Sequence, residues 1–302
     1  MRRPSARRRG GPGPGPVEHG FPHLATVRAA IPALLRRLPP DGLRSYAAPL
    51  SPADAAFTAA DDLHLGAHRV ASAVAAALRL PDARMVVAFR DMPEAATVEL
   101  AAGPEYFVEV NDRFRTHRRD LAAALAHEAT HVLLHRLGLR FPDTAGNELL
   151  TDTAAAYLGV GWLLLDAYRE DRHSSQKLGY LTPEEFGYVL GKRALLLGED
   201  LSAWFTGPQA YEAYVRGRAL AERDLRRAPL AAADRAQRRR YLHDRAAGAA
   251  SPGAGYRFER DGGGRLRVSF CCPVCEQRLR VPVAGPLRAR CGLCRTVLDC
   301  DT

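Results

Sequence analysis

The segment His127-Glu128-Ala129-Thr130-His131 sets two imidazoles four residues apart with a carboxylate between them. In a helix, four residues advance by about 400°, so both rings leave one face a turn apart and can close on a single ion. Glu128 follows the first histidine, within reach of a water on that ion without ligating it. Downstream, Asn147-Glu148-Leu149-Leu150-Thr151-Asp152 puts Glu148 and Asp152 on one face of a second helix at i, i+4. Glu148 then completes a two-histidine, one-carboxylate zinc site with an open fourth position. Asp152 is placed to accept the other ring N–H of His127 and so to fix its tautomer. The competing readings are a solvated polar face on an alanine-rich helix, and helix-start carboxylates favoured by the macrodipole. The pairing of the two segments favours the metal.

All six cysteines lie near the C-terminus: Cys271, Cys272, Cys275, Cys291, Cys294 and Cys300. A disulfide framework would staple the whole chain, whereas this clustering points to a local metal site in a reducing compartment, the cytoplasm. Cys272, Cys275, Cys291 and Cys294 read as C-x2-C-x15-C-x2-C, the spacing of a structural zinc site. Arg278 to Val283 and Leu287 to Arg290 are strand-like, and a hairpin between them would bring the two knuckles together. Cys271 can replace Cys272 in this register, and Cys300 has no assigned role. A segment this short and polar gains its fold from the ion, which contributes about 10–16 kcal/mol in small finger peptides. Four thiolates close the coordination sphere, so this module binds or positions something, and the chemistry stays with the histidines. It resembles a zinc ribbon.

The histidine and carboxylate segments together resemble the gluzincin group of zinc metallopeptidases, whose pattern is H-E-x-x-H followed by N-E-x-x-[ST]-D. The resemblance covers roughly Asp61 to Tyr168. It implies His127, His131 and Glu148 as zinc ligands, Glu128 as general base and Asp152 as the carboxylate behind a ligand histidine. The implied activity is hydrolysis of peptide bonds. Zinc lowers the pKa of a bound water from about 16 to about 7, Glu128 takes the proton, and the same glutamate passes it to the leaving amine. The family's transition-state tyrosine or histidine matches no position here. His173, Tyr180 and Tyr188, in or after a polar loop beyond the second helix, are weak candidates for that role. His135 lies a further turn along the first helix, and His64 with His68 lack a third ligand, so these three read as structural.

The elements that must position these groups are legible in outline. Leu24 to Leu38 and Asp61 to Leu80 have helical apolar patterns, the second closed by Pro81. Short strands are expected at Met85 to Phe89, Thr97 to Leu100 and Tyr106 to Val110. The last of these is the expected sheet edge, on which an extended peptide or protein substrate would pair. Asp120 can cap a helix to about Leu137, and a second helix should run from Asp143 or Thr144 to about Tyr168. Further helices fit Thr182 to Leu197 and Pro208 to about Arg227. The expected class is α+β: a mostly helical zincin-like domain with a small sheet over residues 23–247, then a small β zinc ribbon over 254–302. Residues 1–22 read as a disordered basic Gly/Pro tail. One catalytic and one structural zinc ion are expected.

Of 302 residues, 47% are hydrophobic and 25% charged, a composition with enough apolar surface for a core. The net charge of +9 falls to about +4 once the five arginines of the first ten residues are set aside. Only Lys177 and Lys192 are lysines, a bias that fits codon usage better than selection for a ligand. The N-terminus lacks the apolar core of a secretory signal. The longest charge-free apolar run, Thr153 to Leu165, is shorter than the roughly 20 residues a membrane helix needs. A nucleic-acid-associated protein on an inert zincin scaffold is the alternative, because Arg216 to Arg245 holds ten arginines against four acids. That run lacks interleaved aromatics apart from Tyr241, as a solvated helix face would.

Overall fold

A carboxylate that accepts a backbone N–H starts the second motif helix, at Asp143, but Asp120, the cap expected for the first, makes no such bond and instead accepts from Arg169 and Gln176. The computed structural model describes residues 17–39, 42–171 and 174–302. Helix α1 (Leu24–Leu35) and the short α2 (Pro52–Ala55) precede α3 (Leu63–Ala77), whose cap Asp62 accepts from the N–H groups of His64 and Leu65. Strands β1 (Arg84–Arg90), β2 (Ala96–Val98) and β3 (Glu105–Asn111) lead into α4 (Leu121–Arg136). Asp143 accepts from Gly146 N and starts α5 (Thr144–Leu158). After α6 (Trp162–Asp166) and the β4 (Arg169–Glu170) and β5 (Ser175–Gln176) pair, Thr182 and Glu185 cap α7 (Pro183–Leu197) reciprocally. Helices α8 (Pro208–Asp224) and α9 (Arg235–Ala247) follow. The C-terminal strands are β6 (Tyr256–Arg260), β7 (Leu266–Cys271), β8 (Arg278–Pro282), β9 (Pro286–Arg290) and β10 (Val297–Asp301). The architecture is α+β, as expected.

The second motif helix is shorter than its apolar run implies. It stops at Gly159, whose φ of +96° turns the chain, and α6 begins three residues later. An alanine- and leucine-rich run carries no polar punctuation, so only Gly159 and Gly161 mark the break.

The sheet corrects a second expectation. β3 pairs in parallel with β1 and antiparallel with β2, giving the order β1-β3-β2. The strand expected at the edge is therefore central, and β2 forms the antiparallel edge. Tyr106, Val108 and Val110 alternate inward toward the helices and are buried. That alternation reports a buried face and is silent on how many strands flank it.

Residues 1–16, most of the expected tail, lie outside the described residues. The remaining stretch is held in place: Gly20 N donates to Glu184 Oε2 at 3.1 Å, and Gly20 O accepts from the Thr182 hydroxyl at 2.7 Å. Glu184 is buried at the start of α7 and needs donors there, which this segment supplies.

At the C-terminus the anticipated β8–β9 hairpin does not form. β8 pairs with β7 in a three-stranded antiparallel sheet, and β9 pairs with β10. The reason is local, because each C-x2-C segment is itself the turn of a hairpin. Cys272 N donates to Gln277 O and Glu276 N to Cys272 O, and Cys291 N to Thr296 O and Arg295 N to Cys291 O repeat the pattern. Helix α9, expected in the first domain, packs on the second. Its buried Tyr241 lies edge-on to Tyr256 at 5.0 Å, and Asp244 accepts from the Tyr256 hydroxyl at 2.8 Å. One apolar core runs through both parts. Among the described residues no helix is long and apolar enough to cross a membrane.

Candidate functional site

Helices α4 and α5 pack side by side and bring the two sequence motifs together. His131 Nε2 lies 3.1 Å from His127 Nε2, and Glu148 Oε2 lies 3.2 Å from each. A tetrahedral ion with bonds of about 2.0–2.1 Å needs its ligand atoms about 3.3 Å apart. The three atoms already stand at that separation, so the donor set fits a zinc-like cation. Their side chains are between a tenth and a fifth exposed, which leaves an approach from solvent.

Each imidazole is oriented from behind. His127 Nδ1 lies 2.8 Å from Asp152 Oδ1, as the spacing of the motif suggested. His131 Nδ1 lies 3.2 Å from the Thr151 hydroxyl, which donates its own hydrogen to Asn147 O at 2.9 Å. With that hydrogen committed, Thr151 accepts from His131, and Asp152 can only accept from His127. Both Nε2 lone pairs are thereby turned toward Glu148 and the ion. Asn147 holds the connection between the helices, accepting from Phe141 N at 2.7 Å and donating to Phe141 O at 3.0 Å.

Asp152 is in turn held by the turn that precedes α7. Its Oδ2 accepts from Leu181 N at 3.0 Å and from Tyr180 N. The turn that delivers these groups depends on Gly179, whose φ is +83° and whose added Cβ would stand 2.7 Å from Asp152 Oδ2. Thr151, like Asn147 and Asp152, lies within the motif itself. Gly179 and the two N–H groups come from 27 to 29 residues downstream and carried no local signal.

Electrostatics match the geometry. Burial opposes protonation of His127, but hydrogen bonds to Asp152 and Glu148, with the charge of Glu128, raise its proton affinity well above the usual value. Burial also raises the Glu148 carboxyl, yet the two histidines outweigh it and hold it far below the ordinary range. The pocket is thus organised around positive charge at the three converging atoms. Glu128 is buried beside the site, as its position after His127 requires.

Of the other candidates, Tyr180 lies nearly parallel to His127, with ring centroids 6.1 Å apart. Tyr188 is remote, buried with its hydroxyl on Asp224 and Glu276. His173 lies outside the described residues. His135, His64 and His68 are exposed and join no donor cluster.

The second donor set also converges. Cys272 Sγ lies 3.7 Å from Cys294 Sγ, and Cys275 Sγ lies 3.5 Å from Cys291 Sγ. Thiolates about 2.3 Å from a tetrahedral zinc sit about 3.8 Å apart, so this set too can hold the ion. The knuckle hydrogen bonds choose Cys272 over Cys271, which is exposed on the end of β7. Cys300 is buried apart from the cluster, and burial pushes its thiol up to about 11.

No protein-family model, curated protein or solved structure matches the chain.

Proposed function

We propose that this chain is a gluzincin-like zinc metallopeptidase with one catalytic and one structural zinc ion. The observation that carries the reading is the convergence of His127 Nε2, His131 Nε2 and Glu148 Oε2 to mutual distances of 3.1–3.2 Å, with Glu128 on the adjacent helix position. A zinc ion bound there would polarise a substrate carbonyl and acidify a water. Glu128 would take the proton of the attacking water and return it to the leaving amine. Asp152 and Thr151 keep the two imidazoles in the tautomer the site needs. Tyr180, over His127, is the nearest described candidate to donate to a developing oxyanion. Edge strand β2, in place of β3, offers the backbone on which an extended peptide would pair. The four thiolates of the ribbon suit a reducing compartment, the cytoplasm.

The nucleic-acid alternative draws less support from the arginine run. Arg216 pairs with Glu212 and Glu184, Arg218 with Glu222 and Asp200, Arg227 with Asp224, and Arg238 with Asp301. Four of the ten arginines of the run are thus matched by acids within the chain. The deciding experiment compares the zinc-loaded protein with Glu128→Gln on an unfolded protein substrate. Cleavage should fall by about 100-fold or more while zinc content is unchanged. Equal cleavage by both proteins, or none by either alongside salt-dependent DNA binding, would defeat the peptidase reading.

A further inference from the structure

The sequence suggests a separate C-terminal module that binds or positions something. Its first knuckle is instead built into the helical core. Val274 and Cys275 are buried, and Val274 O receives a long 3.4 Å contact from the hydroxyl of the fully buried Tyr157. Lys192, also fully buried, donates to Pro273 O and stands 2.7 Å from Glu276 Oε1 and 2.7 Å from Asp224 Oδ2. Glu276 follows Cys275 directly, with φ at +60°, and its N–H closes the knuckle on Cys272 O. The backbone turn that gathers the thiolates therefore also aims Glu276 at Lys192.

Tyr157 stands on α5, which carries Glu148 and Asp152, and Lys192 on α7, which follows the turn that holds Asp152. Tyr157 is on α5, five residues beyond Asp152, or about 7.5 Å along the axis. Lys192 is on α7, eleven residues beyond Leu181, whose N–H holds Asp152. Arg193 Nη1 donates to Tyr157 O at 3.0 Å and ties the far ends of the helices together. Helix α5 thus joins the knuckle to the histidine site directly, and α7 joins them through the turn that precedes it.

We infer that the four-cysteine module is a brace for the His127/His131/Glu148 site, its metal-held knuckle fixing α5 and α7 and thereby positioning Glu148 and Asp152. Opening the knuckle would take from Lys192 its Glu276 and Pro273 partners and leave a buried ammonium short of acceptors, which the helices would have to move to relieve. Binding at the two donor sets is then coupled, and the coupling is reciprocal. The inference rests on the metal-binding reading of both sets and goes beyond it by assigning Tyr157 and Lys192 as positioning residues.

Cobalt titration of the full-length apo-protein tests this, because thiolate-to-cobalt charge transfer reports the cysteine set and weaker visible bands report the histidine set. Hydrogen exchange on α5 is followed in parallel. In Cys291→Ser the histidine set should bind cobalt about ten-fold more weakly than in wild type, with faster exchange across α5. The pair Tyr157→Phe with Lys192→Met should keep the thiolate band yet show the same loss at the histidines. Should either variant fail to fold, His131→Ala decides: its cysteine set should bind cobalt more weakly than that of wild type whose histidine set is already loaded, because loading one set favours the other. Histidine-set affinity within two-fold of wild type, with exchange changes confined to residues 254–302, would overturn the brace. If wild type binds cobalt only through thiolates, the peptidase reading fails, while exchange on α5 still reports whether the knuckle holds the helix.

Discussion

The Thr151 hydroxyl stands 3.2 Å from His131 Nδ1 and spends its own hydrogen on the carbonyl of Asn147, one turn earlier in α5. A neutral hydroxyl therefore does for His131 what the Asp152 carboxylate does for His127. The two imidazoles present the same ring nitrogen to Glu148 although their supporting groups differ in charge.

Replacing Thr151 with Val keeps the shape and removes the acceptor. Zinc affinity at the histidine set should fall by about 10–100-fold, with Thr151→Ser restoring most of it. Competition against a chromogenic chelator measures this, and an unchanged affinity in Thr151→Val would deny the hydroxyl its role.

Gly179→Ala should be costlier than an ordinary glycine replacement. Gly198 has a similar positive φ of +71° with open space around it, so Gly198→Ala isolates the backbone cost, about 1–2 kcal/mol. At Gly179 the new methyl also meets the Asp152 carboxylate at 2.7 Å. Thermal unfolding should show the larger loss for Gly179→Ala, and zinc affinity should drop in that variant alone. Equal effects of the two substitutions would contradict the contact.

The purified protein should carry two equivalents of zinc. His131→Ala should bring this to one, with the thiolate site retained, while Cys275→Ala should remove the thiolate-bound ion. Elemental analysis checks both. A single equivalent in wild type that His131→Ala leaves untouched would remove the histidine set from consideration as a zinc site.

Acid should loosen the clamp between α9 and the ribbon. Burial raises the Asp244 carboxyl, but hydrogen bonds from Ser251 and Tyr256 overcome this and lower it to about 2. A carboxyl depressed in the folded state stabilises fully above its unfolded value, near pH 4, and loses that contribution as pH falls toward about 2. The stability difference between wild type and Asp244→Asn should thus be constant from pH 7 to about 5 and shrink below 4. Urea titrations across this range would show it, and a difference that grows on acidification would reverse the sign argued here.

Much of the site could be read without coordinates, because each donor set is a short-range pattern. Four residues of helix aim His127 and His131 the same way wherever that helix lies, and two residues between cysteines make a knuckle in any setting. Asp152 was legible for the same reason, one turn beyond Glu148. The strand at Tyr106–Val110 was legible as a strand and misplaced as an edge, since alternation records burial of one face and nothing about lateral neighbours.

The chain alone, then, determined which atoms can ligate and which helices carry them, through helical period and cysteine spacing. Only the tertiary structure decided what holds those atoms in place: Gly179 and Leu181 behind Asp152, and Lys192 and Tyr157 against the first knuckle. Such contacts join residues tens to more than a hundred positions apart. They exist because buried charges and hydroxyls must find partners once the core closes, and no local pattern announces which partner that will be.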